Sequence, residues 1–167
     1  MEYRTIRDIL TNAEKCFGNE DAIRYKTGKN EIAAKTYTQL KEDSERITAL
    51  LKKLGDPKSH IALIGATSYL WIASYFGIVD GGNVAVPLDM SLPAEELCEL
   101  IDRADVTILI LDEIRKDVIE AAKEKCPKLK YILSMQKEAN EGNILSLIKS
   151  MMEQTIDEDT GAEKTEI

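Results

Sequence analysis

Apolar residues recur along this chain with two different periods, and the alternation between them predicts its architecture. Near the start, Ile6, Ile9, Leu10, Ala13 and Phe17 share one helical face. Thr5 with Asp8 three residues later reads as a capping box with Asp in place of Glu, and Gly18 ends the helix. Two extended runs follow, Ala22 to Tyr25 and Glu31 to Lys35, around the turn-prone Thr27-Gly28-Lys29-Asn30. This spacing predicts a β-hairpin. Leu40, Ser44, Ile47, Leu51 and Leu54 then form an inward stripe on the longest helix. Thr38 is its expected cap, Gly55 its expected left-handed stop, and Pro57 prevents resumption. A heptad reading of the stripe is too short for a stable coiled coil, so packing on a sheet is the better reading.

The centre repeats a strand-helix alternation. His60 to Ile64 reads as a buried strand, Gly65-Ala66-Thr67-Ser68 as a turn, and Tyr69 to Val79 as a helix apolar nearly all round, hence expected to be sandwiched. Asp80-Gly81-Gly82 ends it, and Val84 to Pro87 is a second strand. Pro93 is tolerated in the first turn of the next helix, where Glu95 and Glu96 suit the helix dipole and Leu97, Leu100, Ile101 and Ala104 face inward. Val106 to Leu111 is a run apolar but for Thr107, the mark of a strand covered on both sides. Asp112 is then expected to cap a helix that turns Ile114, Val118, Ala121 and Ala122 inward and stops at Pro127. Tyr131 to Leu133 makes a last short strand, and Asn143 to Met152 a final amphipathic helix using Leu145, Ile148 and Met152. The expected fold is α/β, a mainly parallel sheet with helices on both faces and the hairpin to one side.

Composition narrows the class. A chain of 167 residues, 44% apolar and 31% charged, is long enough for one domain with a real core. The net charge is −8, of which −5 lies in Glu153 to Ile167, where Glu153, Asp157, Glu158, Asp159, Glu163 and Glu166 face a single Lys164. Residues 1–152 are therefore read as the folded unit and 153–167 as an acidic, disordered tail. A net acidic chain without a basic stripe argues against nucleic acid as a partner. Cys16, Cys98 and Cys126 are scattered and odd in number, which suits reduced thiols in the cytoplasm better than a disulfide framework. His60 stands alone, with no second ligand at metal spacing. Glu2, Arg4, Arg7 and Asp8 exclude a signal peptide. Ile61 to Val79 is uncharged over nineteen residues, close to a bilayer span, but Gly65, Thr67, Ser68, Ser74 and Gly77 and a mid-run change of pattern favour a strand followed by a helix.

Three stretches in register carry a resemblance. They are Thr36-Tyr37-Thr38-Gln39-Leu40 leading to Lys53-Leu54-Gly55; His60 to Gly65 with Thr67-Ser68-Tyr69-Leu70-Trp71; and Val84-Ala85-Val86-Pro87-Leu88-Asp89 with Leu92-Pro93-Ala94-Glu95-Glu96-Leu97 and Ala104-Asp105. From about Ile6 to Leu133 the chain resembles the opening of the acyl-adenylate-forming superfamily, and within it long-chain fatty-acid-CoA ligases. The resemblance implies a two-step ligase. A carboxylate attacks the α-phosphate of ATP to give an acyl-adenylate and pyrophosphate, and coenzyme A then displaces AMP to form a thioester. Such chemistry needs backbone donors, Mg2+ and a cation around the phosphates. The superfamily supplies them with a Ser/Thr/Gly-rich loop, later nucleotide motifs and a C-terminal domain bearing a catalytic Lys. Asp159-Thr160-Gly161-Ala162 lacks the glycine density of such a loop. The resemblance therefore carries no catalytic, cofactor-binding or metal residue onto this chain. It implies an inactive N-terminal fragment, with fatty acid, ATP, Mg2+ and coenzyme A handled elsewhere in the enzyme and uncovered apolar surface that promotes self-association. The alternative is a stand-alone docking module of the same fold.

Four positions merit weighing. Gly65-Ala66-Thr67-Ser68 opens a helix, where backbone N–H groups could hold an anion, although it matches neither a Walker A nor a G-x-G-x-x-G pattern; a tight turn with Thr67 or Ser68 as cap is the simpler reading. Asp112 ends a core strand as a receiver-domain phospho-acceptor would, but the acidic pair such a domain needs after its first core strand is replaced by Ala66-Thr67-Ser68, so a helix cap is the better assignment. Asp89 could line a cleft or simply serve a turn, and Trp71 could wall an acyl tunnel or simply fill core.

Overall fold

The computed structural model describes residues 4–27, 31–112, 114–135 and 148–150. Helix α1 (Ile6–Phe17) opens with the capping box expected at Thr5 and Asp8. Strands β1 (Asp21–Lys26) and β2 (Ile32–Thr36) pair antiparallel as a separate two-stranded sheet. Helix α2 (Tyr37–Leu54) follows without a break. Its cap is Thr36 rather than Thr38, because Gln39 reaches back to complete a reciprocal box with Thr36 at 2.9 and 3.2 Å. Gly55 is extended, with φ −123°, and the left-handed residue of this turn is Lys58 at φ 64°.

Four parallel strands build the main sheet: β3 (His60–Ile64), β4 (Val84–Leu88), β5 (Val106–Asp112) and β6 (Tyr131–Met135). Helix α3 (Tyr69–Asp80) joins β3 to β4, α4 (Ala94–Arg103) joins β4 to β5, and α5 (Lys116–Lys125) joins β5 to β6. The strand order is β4-β3-β5-β6-β7, where β7 (Ile148–Ser150) pairs antiparallel with β6. Ile148 to Ser150 is thus strand where the periodicity predicts helix; the rest of the Asn143 to Met152 expectation lies outside the described residues. The open edge of β6 offers a row of unpaired donors and acceptors, and laddering onto it outweighs a short helical pattern.

The period-2 alternation of the strands divides the core into two layers. Ile61 and Leu63 of β3, Ile108 and Ile110 of β5, and Leu133 and Met135 of β6 pack beneath α1, α2, α3 and the hairpin. Ala62, Ile64, Leu109, Leu111 and Ile132 pack on the other face beneath α4 and α5. Burying each of the Ile, Leu and Met side chains among them contributes roughly 1.5–3 kcal/mol. Two predicted core positions are exposed: Leu100 on α4 (37%) and Ile114 (73%), which precedes α5 instead of lying on its inner face. Helix α3 is not fully sandwiched: it buries Tyr69, Leu70, Ala73, Ser74, Gly77 and Ile78 while Trp71, Ile72, Tyr75, Phe76 and Val79 stay half-buried. The uncharged run is therefore a strand and a helix, and among the described residues no helix is long and apolar enough to cross a membrane.

Candidate functional site

The crossovers identify where a ligand site would form on this sheet. From β3 the chain passes through α3, on one face, to β4; it then returns over β3 to β5 through α4, on the opposite face. The loops after β3 and β5 thus leave neighbouring strands toward opposite faces, which opens a crevice at their carboxyl ends. Gly65 lies at its floor. A Cβ placed there would sit 2.9 Å from Met135 Cε, 3.4 Å from Asp112 Cβ and 3.6 Å from Trp71 Cδ1. Three of the four positions weighed from the sequence therefore meet at one spot.

Their roles are mostly architectural. Ser68, not Thr67, caps α3, accepting the Trp71 N–H at 3.2 Å. Trp71 is half-buried and lies 5.8 Å from Tyr75 with the rings nearly parallel at 2°. Asp112 does not cap α5: it is the last residue of β5, and its carboxylate accepts a long 3.5 Å bond from Ile114 N–H. The helix starts at Lys116 because the backbone first turns, with Arg115 N–H bonding the Asp112 carbonyl at 3.0 Å. Asp89, after β4, closes its own turn by accepting the Ser91 N–H at 2.8 Å, and that bond lowers its pKa.

Arg115 is the residue at this edge that the pattern of the sequence does not announce. Its guanidinium donates to the carbonyls of Met90 and Leu92 in the β4–α4 loop and to both carboxylate oxygens of Asp117, at 2.9 and 2.7 Å. These bonds raise the pKa of Arg115 and lower that of Asp117. A lone Arg before a helix, with Asp two residues on, was the available signal. It clamps two loops of the same sheet edge.

The opposite end of the sheet holds His60. Its Nδ1 lies 2.5 Å from the Ala104 carbonyl, and since a carbonyl only accepts, that nitrogen carries the proton. Among the described residues there is no cluster of three or more His, Cys, Asp or Glu that could hold a metal ion.

The described residues at the crevice do not by themselves fit a nucleotide triphosphate. Arg115 is spent on two carbonyls and Asp117, the Trp71 N–H at the start of α3 is taken by Ser68, and Asp112 and Asp89 bring carboxylates rather than cations. A triphosphate needs converging cations and backbone donors instead. No step of phosphate chemistry is assigned to these residues.

Comparison with known proteins agrees with the fold. The chain is 36% identical over 81 residues, 47% of its length, to a D-alanine--D-alanyl carrier protein ligase of Streptococcus equi subsp. equi, and this spans 16% of that protein. To a long-chain-fatty-acid--CoA ligase of Thermus thermophilus it is 23% identical over 137 residues, 81% of this chain and 25% of that one. Among solved structures, the anthranilate CoA ligase AuaEII in complex with anthranoyl-AMP superposes with a TM-score of 0.73 at 24% identity, covering 85% of this chain and 27% of that one. The chain thus spans a quarter or less of the length of these two curated relatives. Residues 10–164 match the AMP-binding enzyme family, and with most of its length accounted for in this way the chain belongs to that family.

Proposed function

We propose that this chain is the N-terminal scaffold of an ATP-dependent, AMP-forming carboxylate-CoA ligase, acting in the cytoplasm on a fatty acid. The observation that carries the reading is the family match over residues 10–164, on a chain that spans only a quarter of the fatty-acid-CoA ligase it resembles along 81% of its own length. In this reading the ligase activates its carboxylate as an acyl-adenylate and passes the acyl group to coenzyme A. The described residues contribute the sheet, its covering helices and the clamped crevice at the strand ends. The chain alone is inactive in this reading, because among the described residues no group at that crevice is placed to neutralise a triphosphate.

Purified chain incubated with ATP, Mg2+, a fatty acid and coenzyme A is expected to form no thioester and release no pyrophosphate. Turnover above a buffer control would overturn the inactivity. The substrate half of the proposal is tested in the ligase that contains this chain, by comparing fatty, aromatic and amino acids in pyrophosphate release. Preference for D-alanine or an aromatic acid would replace the fatty acid. The half-buried apolar face of α3 supports a further part of the reading, self-association of the isolated chain, which a monomeric light-scattering profile at high concentration would exclude.

A further inference from the structure

Cys98 and Cys126 are 28 positions apart in sequence and meet in the core. Cys98 lies on the inner face of α4 and Cys126 is the C-cap of α5, so each comes from a different helix of the layer covering one sheet face. Cys126 Sγ donates to the Cys98 carbonyl oxygen across 3.6 Å, and both side chains are buried in the same apolar layer. They are 3% and 4% exposed.

The helix register that opposes them is pinned on both sides. On one side Lys125 Nζ pairs with Glu95 at 2.9 Å; on the other Lys128 Nζ pairs with Asp102 at 3.5 Å and donates to its carbonyl at 3.2 Å. These ties bracket the sulfur contact, since 98 falls between 95 and 102 just as 126 falls between 125 and 128. Ile101, Val118, Ile119 and Ala122 are buried in the same cluster as the two cysteines.

We propose that Cys98 and Cys126 are an oxidation site, closing to an intramolecular disulfide that staples α4 to α5 when the protein meets a small peroxide. The Cys98 sulfur attacks one oxygen of hydrogen peroxide. An S–O bond forms, the O–O bond breaks, and the departing hydroxide takes up a proton to leave as water. Cys126 then attacks the Cys98 sulfur: the S–S bond forms, the S–O bond breaks, and a second water leaves. Two thiols lose two electrons in total, and one peroxide becomes two waters.

The order of attack follows from an asymmetry in the pair. Burial raises the pKa of both thiols, that of Cys126 to about 12. The Cys126 S–H is held by the Cys98 carbonyl, a bond that favours the neutral thiol and opposes the Cys126 thiolate. Cys98 is therefore the first to react and Cys126 the resolving thiol. The reaction is slow at neutral pH and quickens as pH rises. The closed loop restricts the unfolded chain, so the oxidised form is the more stable one.

The test uses the 167-residue chain carrying Cys16→Ser, which removes the exposed thiol. After hydrogen peroxide treatment and unfolding in guanidinium, thiols accessible to Ellman's reagent are expected to fall from two to none. Non-reducing peptide mapping should show one cross-link joining Cys98 and Cys126, and the guanidinium midpoint should rise and return on adding dithiothreitol. With Cys126→Ser added, Cys98 should gain one or two oxygens; with Cys98→Ser added, Cys126 should remain a thiol under the same dose. Retention of both thiols at a dose that fully oxidises Cys16 in the unaltered chain would overturn the proposal. So would a Cys98 sulfinic acid formed while Cys126 is present and unlinked. If the second substitutions disturb folding, the mapping in the Cys16→Ser background decides alone.

Discussion

The Tyr69 hydroxyl donates to Asp43 Oδ2 across 2.6 Å, joining the first turn of α3 to the middle of α2. Arg46 Nη1 holds the other carboxylate oxygen at 2.7 Å, so an Asp only 6% exposed keeps both oxygens partnered. Tyr25 of the hairpin stacks on the same tyrosine at 6.1 Å, and Lys35 Nζ lies 5.3 Å from its ring centre. Tyr69 thus links α2 to α3 through its hydroxyl and the two-stranded sheet to both through its ring. Tyr69→Phe is expected to destabilise the chain by about 1–3 kcal/mol, the range for leaving a buried charged acceptor short of a donor. Asp43→Asn, which keeps an acceptor, should lose less. Urea unfolding of both variants checks the ranking, and equal losses would count against it.

Glycines at two contacts separate a hard clash from a soft one. A Cβ on Gly77 would lie 2.7 and 2.8 Å from Ile47 Cγ2 and Cβ and 2.9 Å from the Ser44 carbonyl. Those atoms belong to the adjoining helix, whose Thr48 hydroxyl also bonds the Gly77 carbonyl at 2.8 Å. A β-branched side chain and a backbone carbonyl cannot swing aside. Gly77→Ala should therefore cost about 1–3 kcal/mol by forcing α2 and α3 apart. At Gly65 the closest atom is Met135 Cε, the end of a flexible side chain. Gly65→Ala should lower the melting temperature distinctly less than Gly77→Ala, as parallel thermal melts would show.

Asp80 gives the stability a pH dependence. Its Oδ1 is buried without a hydrogen-bond partner, with Arg7 Nε 3.7 Å away. Burial raises its pKa above 3.8, Glu45 adds to that shift, and Arg7 and Lys41 oppose it. A carboxyl with a raised folded pKa contributes stability that is complete below its unfolded pKa and is lost as pH rises through the folded value. Asp80→Asn removes that loss. Its stability relative to the parent should grow from pH values below 3.8 toward neutrality. A difference that stays flat or shrinks over that window in chemical denaturation would refute the assignment.

Arg115 is 15% exposed at the side chain and spans the two loops of the crevice edge. Arg115→Ala should loosen the Asp89–Pro93 turn, speeding amide exchange there, and destabilise the chain by about 1.5–3 kcal/mol. Arg115→Lys should recover little, since one ammonium cannot present the planar fork that reaches two carbonyls and a carboxylate. Full rescue by Lys would show that charge alone suffices.

Much of the fold was legible along the chain, because strands and helices bury faces of fixed period. The run from Val106 to Leu111 is covered on both sides as its apolarity, broken only at Thr107, implies, and the alternation of Ile61, Ala62, Leu63 and Ile64 sends side chains to two different layers. The site was legible only as scattered positions. Gly65, Asp112 and Trp71 could each be marked, but their convergence depends on β5 lying beside β3.

By itself the sequence determined the α/β class, the order of the elements, the separate hairpin and the family to which the chain belongs, for these rest on local periodicity and on residues read in order. Only the tertiary structure decided that Thr36 wins the cap from Thr38, that Ile148 to Ser150 ladders onto β6, that Arg115 bridges two loops, and that Cys98 faces Cys126. Each of those outcomes is a competition among partners distant in sequence or equivalent in propensity. Free energy of this kind is set by which groups end up within bonding distance, and no local pattern carries that distance.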